Sequence, residues 1–263
     1  MLSPEGTRVF AMTVLGLLAA AYVAWVVSVY RRSPYTLAQF PLYMLNLMLT
    51  RVLWRARVEG RVPFGPGQGA VIVCNHIGPI DPGFLALACG RPVHWMVASE
   101  YVKLPLFGHG LRALQVIPTN RGGVDTASTK LAVRYAQQGE LVGIFPEGRI
   151  NDTPELLLPG RPGAALIALR ARVPVVPCFI SGSPNDGTFW GFFFMSARTR
   201  VVVGKPIDLS EYYERQSHER QTLEDLTVRF MKEIAALGGC PDYKPRLAGK
   251  RWKTEEAAVA GNA

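Results

Sequence analysis

One stretch decides the fold of this 263-residue chain: Ala70-Val71-Ile72-Val73-Cys74-Asn75-His76-Ile77-Gly78-Pro79-Ile80-Asp81. A short apolar run followed by Asn, Gly, Pro and Asp predicts a buried strand that ends in a turn. His76 and Asp81 then lie at the end of that strand. Histidine can take a proton from a hydroxyl near neutral pH, and a carboxylate on its second ring nitrogen fixes the tautomer. The stretch predicts an acid–base pair without a nucleophile of its own, so the nucleophile belongs to the substrate. The alternative is a capped turn in which Asn75 and Asp81 bond loop backbone.

From Val58 onward, short β-rich runs alternate with helical stretches. Such alternation predicts an α/β fold with a central, largely parallel sheet flanked by helices. The predicted strands are Ala70–Cys74, His94–Ala98, Leu114–Ile117, Leu141–Phe145, Val173–Ile180 and Arg200–Val203. The predicted helices are Pro82–Ala88, Val124–Gln138, Gly163–Arg172 and Gln221–Leu237. We expect a catalytic domain over residues 58–240 and a flexible tail over 241–263.

The N-terminal region is expected to be a membrane anchor over residues 1–57. Phe10 to Tyr30 is uncharged and almost wholly apolar, and a helix needs about 20 such residues to cross a bilayer. A cleaved signal peptide is the alternative, because Ala19 to Ala21 supply a small-residue pattern. No basic run precedes the apolar region, and that region continues past these alanines. A retained transmembrane helix at about 10–30 is therefore predicted.

A second uncharged segment follows from Ser33 to Thr50. If it spanned the bilayer, the arginines on its two sides would lie in different compartments, against the positive-inside tendency. We expect an interfacial helix at about 35–54. A helix packed on the globular domain is the other possibility.

Net charge is +9, with an isoelectric point near 9.6. Nucleic acid is not the expected partner, because many arginines lie beside the apolar segments, where they suit anionic lipid headgroups. A solvated basic face remains compatible with the same pattern. The cluster predicts a single-pass protein of the inner (cytoplasmic) membrane, with the catalytic domain on the cytoplasmic side. The arginines are Arg31, Arg32, Arg51, Arg55, Arg57 and Arg61.

The cysteines and histidines predict no metal site. Cys74, Cys89, Cys178 and Cys240 contain no CxxC pair, and reduced, structural thiols are expected. The four histidines show no ligand-like spacing with them. His94 and His109 are expected to be structural.

The run Thr188 to Met195 is dense in aromatic residues. We expect a core strand and hairpin here. The alternative is a segment that enters the bilayer or lines an acyl channel.

Four blocks, in order, resemble the glycerolipid acyltransferase family, whose members include 1-acyl-glycerol-3-phosphate (lysophosphatidic acid) acyltransferases. The first is the NHxxxxD motif of Asn75, His76 and Asp81. The other three are Val116–Arg121, Phe145–Arg149 and Val173–Pro177, all at predicted strand ends. Each block alone is weak evidence, whereas four in register are strong.

The resemblance implies a membrane-bound acyltransferase of phospholipid biosynthesis. It would transfer a fatty acyl group from acyl-CoA or acyl-carrier protein to 1-acyl-glycerol-3-phosphate, making phosphatidic acid. Its partners would be the bilayer, a lysophospholipid acceptor and an acyl thioester donor, with acyl-carrier protein as a possible donor protein. No cofactor is expected beyond the thioester co-substrate.

The resemblance also implies residue roles. His76 is the catalytic base and Asp81 orients it. Arg121 is the candidate for the acceptor phosphate, because guanidinium binds phosphate through two parallel hydrogen bonds. Glu147 is expected to bond the glycerol hydroxyl or to hold an arginine, and Gly148 to let backbone N–H groups approach a phosphate or oxyanion. The candidate substrate-binding residues are Asn75, Arg121, Glu147, Gly148, Arg149 and Pro177.

Three positions depart from the family pattern. Asn120 stands where an acidic residue often precedes the arginine, and Arg149 directly follows Gly148 without the usual Thr. Arg161 replaces a Lys. Other acceptors remain open (another lysophospholipid, glycerol-3-phosphate or a lyso-aminolipid), as does a non-catalytic lipid-binding protein. No G-x-S-x-G supports a serine hydrolase.

Overall fold

The computed structural model describes residues 3–105, 107–120, 126–188, 190–213 and 219–249. Its strands are β1 (Arg57–Glu59), β2 (Ala70–Cys74), β3 (Val93–Ala98), β4 (Ile117–Thr119), β5 (Leu141–Ile144), β6 (Val175–Ser181) and β7 (Arg200–Val203). They form one sheet in the order β1-β7-β6-β2-β5-β3-β4. Neighbouring strands run parallel except β6 and β7, which are antiparallel. The predicted α/β fold with a largely parallel sheet is confirmed.

The helices cover both faces of this sheet. They are α1 (Pro4–Arg32), α2 (Phe40–Met48), α3 (Asp81–Cys89), α4 (Ser99–Val102), α5 (Phe107–Ala113), α6 (Thr126–Gln137), α7 (Gly163–Ala171) and α8 (Arg220–Leu237). Alternate residues of β2 face two separate apolar cores. Val71 lies in the core formed with α6, α7 and α8, whereas Ile72 lies in the core formed with α3 and Trp54. A strand buried on both faces reads as a continuous apolar run, as β2 does.

Helix α1 has the ends that a stable helix needs. The Ser3 hydroxyl accepts the Gly6 N–H at 3.2 Å, and Pro4 stands in the first turn. Arg31 and Arg32 in the last turn complement the helix dipole. No residue of α1 is buried, and among the described residues it is the one helix long and apolar enough to cross a membrane.

Helix α2 continues through a π-helical turn at Leu49–Leu53. Pro41 stands in the first turn of the helix, where proline is tolerated. The apolar stretch Phe40–Leu53 is shorter than a bilayer crossing requires. Asn46 Nδ2 donates to Gly83 O at 2.9 Å and so joins α2 to α3. That the segment lies in the membrane interface stays a prediction.

Strand β4 begins later than predicted, at Ile117 and not Leu114. Leu114 and Val116 close the end of α5, where Leu114 N–H donates to Gly110 O and Val116 N–H to Leu111 O. Gln115 between them adopts φ +54°, which ends the helix. Leu114 and Val116, which were predicted to belong to the strand, therefore form the cap of a short helix. The elements α4, α5 and β1 are too short to produce a hydrophobic periodicity, so the sequence did not predict them.

The tail is not frayed at its beginning, contrary to expectation. Tyr243 Oη donates to Leu157 O at 3.0 Å, and Gly160 pairs with the segment through Arg246 O and Ala248 N–H. Backbone pairing orders this part of the tail. Residues 250–263 lie outside the described part.

The aromatic run does not form a strand and hairpin. Gly191–Phe194 is a 3₁₀ turn, in which Phe192 is buried but Phe194 is 90% exposed. Only part of the run therefore belongs to the core.

Candidate active site

Side chains from several strands meet at one edge of the sheet. His76 follows β2, Glu147 follows β5, and Ile180 lies near the end of β6. The three strands are adjacent and parallel, so their carboxyl ends share this edge. In open α/β sheets the carboxyl edge is where ligands bind.

The predicted acid–base pair is formed. His76 Nδ1 lies 2.9 Å from Asp81 Oδ2. Asp81 opens α3 and is fully buried, whereas the His76 side chain is 16% exposed. A carboxylate only accepts hydrogen bonds, so Nδ1 carries the proton and Nε2 remains free to accept one from a substrate.

The Asp81 carboxylate is itself held in place. Oδ2 also accepts the backbone N–H groups of Ile77 at 2.8 Å and Gly78 at 2.9 Å. The N-terminus of α3 adds a favourable dipole for a negative charge. The turn between β2 and α3 is thus folded around the carboxylate that orients His76.

Two aromatic rings complete the surroundings of His76, and the sequence did not indicate them. The Phe145 ring stacks on the imidazole at 3.9 Å between centroids, and Trp95 stacks on Phe145 at 4.8 Å. Trp95 pairs with Gly143 across β3 and β5, and a Cβ at Gly143 would come within 2.3 Å of the indole. Gly143 is therefore required for Trp95 to lie flat. The signal that could have revealed this stack is the register of β3 against β5, which places Trp95 opposite Gly143.

Glu147 lies behind the His76–Asp81 pair and is buried. Its Oε1 accepts the His76 N–H at 2.8 Å and its Oε2 accepts the Leu158 N–H at 2.7 Å. Burial raises the pKa of Glu147 from 4.5 to about 7, against the lowering effect of these two hydrogen bonds. The expectation that Glu147 reaches the acceptor hydroxyl does not fit this geometry, because both oxygens bind backbone.

Asn75 joins two strands. Its Nδ2 donates to Ile180 O at 2.8 Å and its Oδ1 accepts the Ile180 N–H at 2.7 Å. Asn151 N–H then donates to His76 O at 2.6 Å, so both backbone groups of His76 are bonded. Asn75 is buried, and its side chain holds the turn after β2 against the end of β6.

Gly148 has a different role from the predicted one. Its N–H donates to Phe145 O at 3.0 Å, so that group does not point at an oxyanion. Gly148 is needed because its φ is +73°, which closes the tight turn after β5. The Arg161 guanidinium packs over it, with Nη1 2.7 Å from the position a Cβ would occupy. Arg149 is exposed nearby, with Nη1 3.9 Å from Asp152.

Of the two remaining candidates, only Pro177 lies in the described part of the chain. Pro177 is buried inside β6 opposite Val73, and its C=O accepts the Gly204 N–H at 2.8 Å. Its described contacts are therefore those of a strand inside the sheet. Arg121 lies outside the described residues.

The histidine and cysteine expectations concern structure. His94 Nδ1 lies 2.9 Å from Gln115 O, and its ring stacks on Tyr135. Cys74, Cys89 and Cys178 are buried free thiols. Within the described ranges, no three His, Cys, Asp or Glu side chains gather as metal ligands would.

The fold agrees with comparisons to known proteins. Residues 55–181 match the family model described as Acyltransferase. This match and the named relatives support an O-acyltransferase, in agreement with the resemblance predicted from the motifs.

Two curated relatives are similar to this chain over most of their own length. The 1-acyl-sn-glycerol-3-phosphate acyltransferase of Bacillus subtilis is 28% identical over 156 residues, covering 58% of this chain and 74% of that protein. The 1-acyl-sn-glycerol-3-phosphate acyltransferase alpha of Bos taurus is 29% identical over 223 residues, covering 78% and 75%. Both names place a lysophospholipid acceptor and an acyl donor within the chemistry of the family.

A solved structure has the same fold. The crystal structure of the 1-acyl-sn-glycerophosphate (LPA) acyltransferase PlsC from Thermotoga maritima matches with a TM-score of 0.56 and 19% identity. The match covers 82% of this chain and 89% of that one. At this identity the likeness concerns the fold, including the mixed sheet.

Proposed function

We propose that this enzyme transfers a fatty acyl group from acyl-CoA or acyl-carrier protein to the free hydroxyl of 1-acyl-glycerol-3-phosphate, giving phosphatidic acid. The observation that carries the proposal is the 2.9 Å contact between His76 Nδ1 and Asp81 Oδ2, which leaves Nε2 as a base. The names of the relatives support the choice of acceptor.

The chemistry is direct transfer. His76 Nε2 takes the proton of the acceptor hydroxyl while that oxygen attacks the thioester carbonyl carbon. The tetrahedral intermediate then collapses, the C–S bond breaks, and the imidazolium returns its proton to the leaving thiolate. Asp81 stabilises the imidazolium between these steps. The products are the new ester and the free thiol, and the reaction needs no cofactor or metal.

The proposed location is the inner (cytoplasmic) membrane, with α1 spanning it once and the catalytic domain on the cytoplasmic side. Exposed arginines at the end of α1 and after α2 support this orientation. A lysolipid stays in the bilayer, so an anchored enzyme meets it at a raised effective concentration. Labelling of Cys240, an exposed thiol, by a membrane-impermeant maleimide in inverted but not in right-side-out vesicles is the expected result.

An acyl-transfer assay tests the function. Purified full-length protein is given a panel of lysophospholipids, glycerol-3-phosphate and monoacylglycerol with both thioester donors, beside His76→Ala. We expect the highest rate with 1-acyl-glycerol-3-phosphate and a loss of about 10²–10⁴-fold in His76→Ala. Equal rates for the two proteins would sink the mechanism, and a higher rate with another acceptor would replace the substrate.

A further inference from the structure

The segment Trp190–Phe194, here called the aromatic turn, presents two large aromatic side chains to solvent. Phe194 is 90% exposed and Trp190 is 53% exposed. Between them, Phe192 is buried and packs on Trp54 with 6.0 Å between ring centroids. The turn is thus anchored by one ring and exposes two others, an arrangement that marks an interaction surface.

The aromatic turn is anchored on the end of Phe40–Leu53, which comprises α2 and the π-helical turn and is here called the α2 segment. Trp54 follows the π-helical turn directly, and its Nε1 donates to Met195 O at 3.0 Å. The Phe193 ring lies 6.5 Å from Trp54 and stacks with Trp190 at 6.0 Å. The aromatic turn therefore lies on the sheet face that carries α2 and α3, opposite α6, α7 and α8.

Other exposed apolar side chains occupy the α2 segment, which leads to Trp54. Leu45, Met48 and Val52 are all about half exposed or more. The buried Trp54 joins the aromatic turn to this segment from beneath, by its contact with Phe192 and its hydrogen bond to Met195 O. A soluble partner would have to cover both, whereas a bilayer surface meets them together.

The charges near this surface are three exposed arginines and one exposed carboxylate, Asp186, which packs against Gly191, so positive charge is in excess. Thr199 N–H donates to Trp54 O at 3.2 Å, which places the exposed residues Arg55 and Arg198 next to that bond. Arg51 is exposed one turn earlier. Cations beside exposed aromatic and aliphatic side chains match the headgroup layer of an anionic bilayer, where tryptophan is favoured.

A hydrogen bond also connects the chain just before the aromatic turn to the turn between β2 and α3, which carries His76. Asn185 Nδ2, five residues before Trp190, donates to Ile77 O at 3.0 Å. Ile77 directly follows His76, so the depth of the aromatic turn in a membrane would set the depth of the base. This link gives the surface a consequence for catalysis.

We propose that the aromatic turn is a second membrane contact, carried by the catalytic domain and separate from α1. Trp190 and Phe194 enter the boundary between headgroups and acyl chains of an anionic bilayer. The contact holds the His76 site at the level of the lysolipid hydroxyl. The inference needs the anchored chain but not the acyl-transfer chemistry, so a fluorescence readout succeeds or fails independently of the proposed function.

Site-specific labelling tests the contact in the full-length protein. In a Cys240→Ser background the described cysteines left are buried, so Phe194→Cys can be labelled with an environment-sensitive fluorophore. Lys232→Cys on α8, at the opposite sheet face, is the matched control. In nanodiscs containing phosphatidylglycerol we expect blue-shifted emission at position 194, quenching by spin-labelled phospholipid, and several-fold weaker quenching by iodide than at position 232.

Three results would overturn the proposal. The first is equal quenching by iodide at positions 194 and 232. The second is a label at position 194 that is shielded from iodide, is not quenched by spin-labelled phospholipid, and becomes more shielded as the protein concentration rises. The third is shielding of that label only after acyl-carrier protein is added. The second would indicate contact with another copy, and the third contact with the donor protein.

A kinetic experiment tests the consequence for catalysis. In Trp190→Ser/Phe194→Ser, the rate with dilute long-chain lysolipid in vesicles should fall about tenfold, as expected for the lost burial of an aromatic ring. The rate with a short-chain, water-soluble lysolipid should not change. The double variant Trp190→Phe/Phe194→Leu should restore the vesicle rate. Equal losses with both substrates would assign the residues to folding or to the site and reject the membrane contact.

Discussion

The Glu147 carboxylate binds the main chain of His76 and not its ring. Oε1 accepts the His76 N–H at 2.8 Å, and Oε2 accepts the Leu158 N–H at 2.7 Å. His76 thus has two carboxylates, one orienting the imidazole from Asp81 and one fixing the backbone from Glu147. Glu147 is a positioning residue in this arrangement, because it touches neither of the reacting atoms.

Replacing Glu147 by Gln tests this positioning. One carboxylate oxygen becomes an NH₂ group that faces a backbone N–H, so one of the two bonds is lost. We expect kcat to fall about 10–100-fold, as for a base displaced by a fraction of an ångström to 1 Å, while KM for both substrates changes little. At pH 5 the free energy of unfolding should fall by about 1–3 kcal/mol. Glu233→Gln, an exposed position on α8, is the control, and an unchanged kcat in Glu147→Gln would contradict the role.

The same carboxyl group predicts a pH dependence of stability. Burial raises its pKa in the folded state from 4.5 to about 7, so between these values the folded protein keeps a proton that the unfolded chain has released. Its contribution to stability is therefore full below the unfolded pKa, is lost as the pH rises through about 7, and is absent above. The loss is on the order of 3 kcal/mol.

Denaturation in detergent at pH 5, 6, 7 and 8 measures this effect. Wild type should lose stability over the range relative to Glu147→Gln, so the difference between the two proteins narrows as the pH rises. If the stability of the two proteins changes with pH in parallel, Glu147 is ionised over the whole range. That outcome would mean that its two backbone N–H donors, which favour the charged form, outweigh burial.

The local part of the site could be predicted from sequence, and the distant part could not. His76 and Asp81 are five residues apart, so a strand followed by a turn is sufficient to bring them together. The Phe145 ring over His76 and the Asn75 bonds to Ile180 depend on which strands are neighbours. Periodicity predicts strands but not their order, and for that reason the hydrogen bonds of Glu147 to the backbone of His76 and Leu158 were not predicted.

The fold shows the same division. Ala70–Cys74 and Arg200–Val203 were predicted with the observed ends, because a buried strand reads as an apolar run. Leu114–Val116 has the same composition but caps α5, since Gln115 takes a left-handed conformation. The prediction of a core strand and hairpin at Thr188 to Met195 was wrong for a related reason. Composition does not distinguish a buried phenylalanine, such as Phe192, from an exposed one, such as Phe194.

Asn75 separates a positioning role from substrate binding. Asn75→Ala leaves the buried Ile180 N–H and C=O without partners, so we expect the free energy of unfolding to fall by about 2–4 kcal/mol. Urea denaturation in detergent checks this value. KM for donor and acceptor in the folded fraction should stay near wild type. Asn185→Ala removes a single, part-buried hydrogen bond to Ile77 O and should cost less. A raised KM for the acceptor with normal stability in Asn75→Ala would instead assign Asn75 to substrate binding.

Asp81→Asn tests the orientation of the base. The amide keeps the shape of the side chain but offers an NH₂ group where Oδ2 now accepts three N–H groups. Either the His76 tautomer changes or the turn loses a bond, so kcat should fall about 10²–10⁴-fold with KM little affected. Steady-state kinetics measure the change, with Asp152→Asn as an exposed control. A kcat within threefold of wild type would mean that Asp81 does not assist His76.

Arg121 and Arg149 are the two arginines whose loss should depend on the acceptor. A guanidinium that binds the phosphate through two hydrogen bonds contributes to acceptor affinity and not to the proton transfer. For Arg121→Ala we therefore expect KM for 1-acyl-glycerol-3-phosphate to rise about 10–100-fold, with the slow rate on monoacylglycerol unchanged. Arg149, exposed at the turn after β5 and only 3.9 Å from Asp152, should show a smaller effect of the same kind. Arg170→Ala on α7, an exposed arginine on the far sheet face, is the matched control. If Arg121→Ala lowers both rates equally, the residue supports the fold, and phosphate recognition must come from Arg149 or Arg161.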